Sequence, residues 1–128
     1  MDDSSLYEQL GPETIRVLVD RFYDQMDTLP EVEGIRRMHA PSLKVSRDKL
    51  YLFLTGWMGG PQLYVEKYGH PRLRARHLPF AIGPAESAQW LLCIKLALDE
   101  VVADEDLRVV LFSAFRRIAH HMENQEPA

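Results

Sequence analysis

GHPRLRARHLPFAIG, residues 69–83, places His70 and His77 seven positions apart, with Arg72, Arg74 and Arg76 at alternate positions between them and Pro71 and Pro79 behind. The arginines keep neither a helical nor a strand period, which predicts a loop with one short turn of helix. Apolar Leu78, Pro79, Phe80 and Ile82 follow directly. Basic side chains beside an apolar run suit a ligand that is both greasy and anionic.

The flanking sequence is strongly helical. Before the loop, residues 13–28 carry Ile15, Leu18, Val19, Phe22, Tyr23 and Met26 at spacings of three and four, behind Gly11 and Pro12. Short helices are expected at 4–9 and 31–38. Residues 45–58 repeat the pattern with Leu50, Phe53, Leu54 and Trp57 and stop hard at Gly59-Gly60-Pro61. Beyond the loop, Gly83-Pro84 opens a third long helix with Trp90, Leu91, Ile94, Ala97, Leu98 and Val101 inward. Asp104 is the expected N-cap of a fourth, carrying Leu107, Val110, Leu111, Ala114, Phe115, Ile118 and Met122. The tail ENQEPA is expected to fray. No strand or repeat is predicted. The expectation is one all-α domain over 1–128, two helix pairs separated by about 25 irregular residues at 59–83. So long a loop in so small a domain is uncommon unless functional, and a buried cofactor would give it something to pack on.

Bulk properties narrow the function classes. There are 128 residues, enough for one core, with 15 basic and 19 acidic side chains and a net charge of −4. That balance gives no electrostatic case for nucleic acid. Cys93 is the lone cysteine, which excludes an intrachain disulfide and a cysteine-based zinc site; its apolar neighbours predict a buried, inert thiol. The start, MDDSSLYEQL, does not read as a signal peptide, and no apolar run is long enough to span a membrane. The expected location is the cytoplasm.

Of the five histidines, none forms a helix-borne pair joined to a third metal ligand. His120 and His121 near the end of the last helix suit its dipole. His70, between Gly69 and Pro71, is expected to be extended and near solvent. His77 admits two readings. It packs on Phe80 as an ordinary loop residue, or its neutral imidazole, in an apolar wall beside cations, ligates the iron of haem, whose propionates take Arg or Lys.

LYEQLG at 6–11, LVDRFYDQM at 18–26, FLTGWMGGPQLY at 53–64, GHPRLRARHLPF at 69–80 and WLLCIKLAL at 90–98 together resemble the truncated haemoglobins, specifically their second group. The similarity runs over essentially the whole chain. It implies a two-over-two helical sandwich, a shortened globin, around haem b. It implies that His77 is the proximal iron ligand and that His70 is structural. Tyr23, His39 and Trp90 would face the opposite side of the haem as polar donors, with Ser46 and Leu50 near that space. Taken singly, each of the three also reads as ordinary core packing. Lys49, Tyr64 and Arg76 match positions that contact the propionates, with Arg72 and Arg74 as further candidates. Phe53 and Phe80 are counted among the pocket residues. Two features depart from the pattern: Gly11-Pro12 stands where relatives have Gly-Gly, and position 39 varies among Tyr, Phe and His in the family.

The function so implied is reversible, high-affinity binding of dioxygen, and of other diatomic ligands such as nitric oxide and carbon monoxide, at a five-coordinate iron: oxygen transport or scavenging. A redox enzyme is the second reading, a nitric oxide dioxygenase or peroxidase served by a separate reductase, because the chain carries no flavin domain. A colourless helical interaction module is the third. The chain is expected to be a monomer or homodimer.

Overall fold

The computed structural model of the protein describes residues 5–125, and all regular structure among them is helical. The helices are α1 (Leu6–Leu10), α2 (Pro12–Thr28), a 3-10 turn (Pro30–Val32) leading into α3 (Glu33–Arg36), α4 (Lys44–Trp57), α5 (Leu63–Tyr68), α6 (Leu73–His77), α7 (Pro84–Val101) and α8 (Glu105–Met122). Of the helix expected at 4–9, residue 4 lies outside the described residues.

Three of the four long helices, α2, α7 and α8, begin where the sequence provides a start. Pro12 occupies the first turn of α2, where its missing N–H costs nothing. The Asp104 carboxylate accepts the Leu107 N–H at 3.1 Å and caps α8. The end of α4 is sharp for a reason of packing. Gly59 sits at φ 97°, and a Cβ on Gly60 would lie 2.6 Å from the Tyr7 ring. Only glycine lets α1 lie this close over the turn, where the Tyr7 N–H donates to the Met58 carbonyl at 2.9 Å.

The layering is a two-over-two sandwich. α2 packs on α4 and across onto α7, and α7 packs on α8. Ile15, Leu18, Val19, Phe22 and Met26 of α2 meet Leu54 and Met58, Cys93 to Leu98 of α7, and Leu111 and Phe115 of α8 in one apolar cluster. Burial of Cys93 pushes its thiol up to about 11, so it stays protonated and unreactive.

Three details differ from the sequence reading. Val110 is 54% exposed while Ala119 is buried, because the inner face of α8 runs 111, 115, 119, 122 and position 110 falls a full residue off it. The segment 59–83 is less irregular than expected and contains α5 as well as α6. Neither buries a residue, so neither leaves a periodic apolar signal. The tail does not fray where it is described: the backbone N–H groups of Asn124 and Gln125 donate to the Ile82 carbonyl at 2.7 and 3.1 Å. Residues 126–128 of that tail lie outside the described residues.

Candidate functional site

His77 closes α6, a helix of little more than one turn. Its Nδ1 lies 2.6 Å from the Leu73 carbonyl one turn earlier. A carbonyl only accepts, so Nδ1 carries the proton and Nε2 keeps its lone pair for another partner. This is the tautomer of a metal-bound imidazole with its other nitrogen tied to the backbone. His70 is arranged otherwise. It is exposed, and its Nδ1 accepts the Arg72 N–H at 3.1 Å within a turn where Arg72 takes φ 45°.

Among the described residues, no three His, Cys, Asp or Glu side chains converge on a point that could hold a metal ion. His77 is therefore suited to act as a lone ligand to a metal held by other means. Leu78 and Phe80 beside it are 57% and 40% exposed. They are apolar surface in the chain itself, and the alternative reading of His77 as a residue packed on a buried Phe80 does not fit that exposure. On α4, Leu50, Phe53 and Trp57 are half-buried and pack against the core.

A polar cluster lies on the α2 side. Tyr23 is buried at 6% exposure, edge-on to Phe22 with ring centres 4.9 Å apart, and shares a hydrogen bond with Ser46. Burial pushes its phenol well above the ordinary value, against a smaller opposing effect of Arg47, so it is a neutral O–H donor. The Arg47 guanidinium sits 5.9 Å from the centre of the Tyr23 ring. It is held there by Asp24 at 2.8 Å, and by the side chain and carbonyl of Asp20 at 3.2 and 3.0 Å.

His39 follows α3, with its ring centre 5.9 Å from that of Tyr23. Its loop is anchored from both ends: the Ile35 N–H donates to Gln89 Oε1 at 3.0 Å, and Arg36 donates to Asp27 and to the Ala40 and Pro41 carbonyls. Burial lowers the His39 pKa, opposed in part by its hydrogen bond to the Ile35 carbonyl and aided by the charge of Arg36, so the ring is neutral. Its Nδ1 is 2.9 Å from the Ile35 carbonyl and must carry the proton. Nε2 is then an acceptor. At neutral pH His39 is not the donor that the sequence suggests.

Trp90 on α7 lies 5.1 Å from Phe22 and 5.9 Å from Phe115, ring centre to ring centre. Among the described residues its indole N–H donates to no protein acceptor.

A basic aromatic rim lies along α4, α5 and α6. Tyr64 stacks on Tyr68 at 5.0 Å and meets Phe53 edge-on at 6.3 Å. Arg76 sits 5.8 Å from the Tyr64 ring centre and Lys49 5.2 Å from that of Tyr68. Lys49, Tyr64 and Arg76 thus come together, joined by Tyr68, which the sequence did not single out. Arg72 and Arg74 do not join them. The Arg72 side chain has no partner among the described residues. Arg74 donates to the His121 and Glu123 carbonyls at 2.9 and 2.8 Å, capping α8.

The sequence reading also missed Arg47, Gln89 and Asn124. For Arg47 a signal existed: Asp20 and Asp24 stand four apart on one face of α2. For Gln89 and Asn124 no local pattern marks partners 54 and 47 residues away.

Comparison with known proteins gives one answer. The model of the bacterial-like globin family matches residues 5–124. A group 2 truncated haemoglobin of Bacillus subtilis is 41% identical over 95% of this chain and 90% of its own. The group II 2-on-2 haemoglobin of Agrobacterium tumefaciens superposes with a TM-score of 0.93 at 45% identity, covering 99% of this chain and 98% of that one. A structure described as the truncated oxygen-avid haemoglobin of Bacillus subtilis gives 0.88 at 39% identity, over 94% of this chain and all of the other.

Proposed function

This chain belongs to the bacterial-like globin family as a group II truncated haemoglobin, and we propose that it binds haem b through Nε2 of His77 and takes up dioxygen reversibly. Haem, when bound, supplies an iron with one open axial position for a diatomic ligand. Everything else in the reading belongs to the protein.

The orientation of the His77 ring carries the proposal. Its Nδ1–H is committed to the Leu73 carbonyl, so Nε2 is the nitrogen left for iron. Leu50, Phe53, Leu78 and Phe80 supply apolar contact to a flat macrocycle. Lys49, Arg76 and Tyr64 supply charge and a hydroxyl to its propionates.

On the opposite side the cage has two donors and one acceptor. If Ser46 donates into the Tyr23 oxygen, the single phenolic proton is free for a diatomic ligand. Trp90 offers an N–H that no group among the described residues claims. His39 meets the Tyr23 ring edge-on and positions it by that contact, and does not touch the ligand by donation. A donor facing a partly negative acceptor in a dry site is worth about 1–3 kcal/mol. Two such donors make dioxygen leave slowly, which suits scavenging or sensing over bulk delivery. Nitric oxide and carbon monoxide enter the same space.

The test is the visible spectrum of the purified ferrous protein before and after exposure to air, with pyridine extraction to identify the haem. Reversible change between two haem b spectra supports the reading. A protein that stays colourless in the presence of haem contradicts it.

A further inference from the structure

Arg74 ties α6 to the end of α8, and one further side chain after α8 fastens the residues from His77 to Ile82 with its whole hydrogen-bonding capacity. Asn124 Nδ2 donates to the His77 carbonyl at 3.3 Å and to the Phe80 carbonyl at 2.9 Å. Its Oδ1 accepts the Ile82 N–H at 3.0 Å and the Gln125 side-chain amide at 3.2 Å. Its backbone N–H donates to the Ile82 carbonyl at 2.7 Å. Two carbonyls need donors and the Ile82 N–H needs an acceptor, so the network itself fixes which end of the amide is oxygen.

From this arrangement we infer that Asn124 is a positioning residue for the iron-ligating imidazole, an inference that rests on the reading of His77 as the ligand. α6 has five residues and none is buried. One helical turn of that kind does not hold itself in water. Nor does packing hold it: between Leu73 and α8 lies an open groove of about 300 Å3 bordered by Trp57, Ala114, Ile118 and Met122. The ring is oriented by Leu73 at the start of α6, and the backbone beneath the ring is fixed by Asn124 at its end. With both points held, Nε2 has one direction. With the second released, the His77 and Phe80 carbonyls lose their side-chain donor and the backbone beneath the ring loses its fixed point, although the Ile82 carbonyl and Arg74 stay tied to the end of α8. Groups that orient a metal-ligating histidine typically change metal affinity 10- to 100-fold when lost.

The discriminating variants are Asn124→Ala and Asn124→Asp. The second keeps an acceptor for the Ile82 N–H but cannot donate to the His77 or Phe80 carbonyls. Gln125→Ala is the control, because its side chain touches only Asn124 Oδ1. The probes are the iron–histidine stretching band of the ferrous holoprotein by resonance Raman, and the rate of haem loss to excess apomyoglobin. Both Asn124 variants should displace and broaden the band and speed haem loss about tenfold or more, while Gln125→Ala leaves both as in wild type. Faster haem loss with an unmoved band would make Asn124 a structural support only and overturn the proposal, as would an equal band shift in Gln125→Ala. A wild-type band that survives His77→Ala overturns the ligand reading and this proposal with it. A band that needs His77 yet ignores Asn124 overturns this proposal alone.

Discussion

Residues 18–26 and residues 73–82 each carry one polar ring of the candidate site, Tyr23 in the first and His77 in the second, and they hold it by opposite means. The α2 stretch buries Leu18, Val19, Phe22 and Met26 at 1% exposure or less, with Tyr23 at 6%. The His77 stretch buries no residue at all. Tyr23 is placed by close packing, where burying a side chain such as Phe22 is worth about 1.5–3 kcal/mol. His77 is placed by a hydrogen bond from its Nδ1–H to the Leu73 carbonyl and one from Asn124 to its own carbonyl, worth about 1 kcal/mol net each. The first side is rigid before any ligand arrives. The second completes its packing only on the cofactor.

This contrast is tested first by taking the haem away. A ligand that binds only the native state stabilises it by about 4 kcal/mol at a thousandfold excess over its dissociation constant. The apoprotein should melt well below the holoprotein in calorimetry. Limited proteolysis should cut the apoprotein first within 59–83 and leave α2 intact. Equal melting temperatures, or first cleavage in α2, would break the comparison.

The next largest effect belongs to the rigid side. Replacing Tyr23 by Phe removes one O–H and keeps the packing, so stability should hardly move. The dioxygen off-rate should rise about tenfold, equivalent to about 1.4 kcal/mol. Trp90→Phe should do the same, and the double mutant should fall short of the product if the two donors share one network. Carbon monoxide release should change less. Stopped-flow release within about twofold of wild type for both single mutants would make these residues ordinary core.

Smaller still is the effect of the ion pairs. Arg47 is 22% exposed, bridges Asp20 and Asp24 and lies over Tyr23. Lys95 pairs with Asp99 at 57% and 49% exposure. Arg47→Ala should cost about 1 kcal/mol in urea unfolding and perturb dioxygen release, whereas Lys95→Ala should stay within about 0.5 kcal/mol. Equal costs would mean that Arg47 does not couple α4 to Tyr23.

The smallest effect is a pH dependence. Burial depresses the His39 pKa in the folded state, while the unfolded chain titrates near the ordinary histidine value of about 6.5. Below that pH the unfolded state takes up a proton that the folded state refuses. Stability is therefore full above the unfolded pKa, falls as pH drops, and levels off below the folded one. Melting curves of wild type and His39→Phe should diverge in slope from about pH 7 downward, wild type losing more. Parallel slopes would show that His39 is not buried as a neutral base.

The four long helices were legible because each buries a periodic face, and α8 was misread only at Val110, one residue off its stripe. α5 left no trace because a six-residue helix with no buried side chain has no period to detect. In the candidate site, the residue types at 23, 77 and 90 were visible in the motifs, Tyr23 and Trp90 as lone polar rings on apolar faces and His77 as a histidine between arginines and an apolar run. What could not be read were relations across the chain. The protonated nitrogen of His39 depends on the Ile35 carbonyl, and the fate of Arg74 depends on where α8 ends. The work of Asn124 depends on a loop 42 to 47 residues earlier. Hydrogen bonds of that reach carry no local signature.

The central claim is that His77, and not the neighbouring His70, is the ligand of the haem iron. The direct measurement is the absorption spectrum of the ferrous, ligand-free protein for His77→Ala and His70→Ala, each reconstituted with one equivalent of haem. His77→Ala should lose the five-coordinate ferrous spectrum, and His70→Ala, whose ring bonds only the Arg72 N–H in its own turn, should keep it. A wild-type spectrum from His77→Ala together with a lost one from His70→Ala would contradict the account.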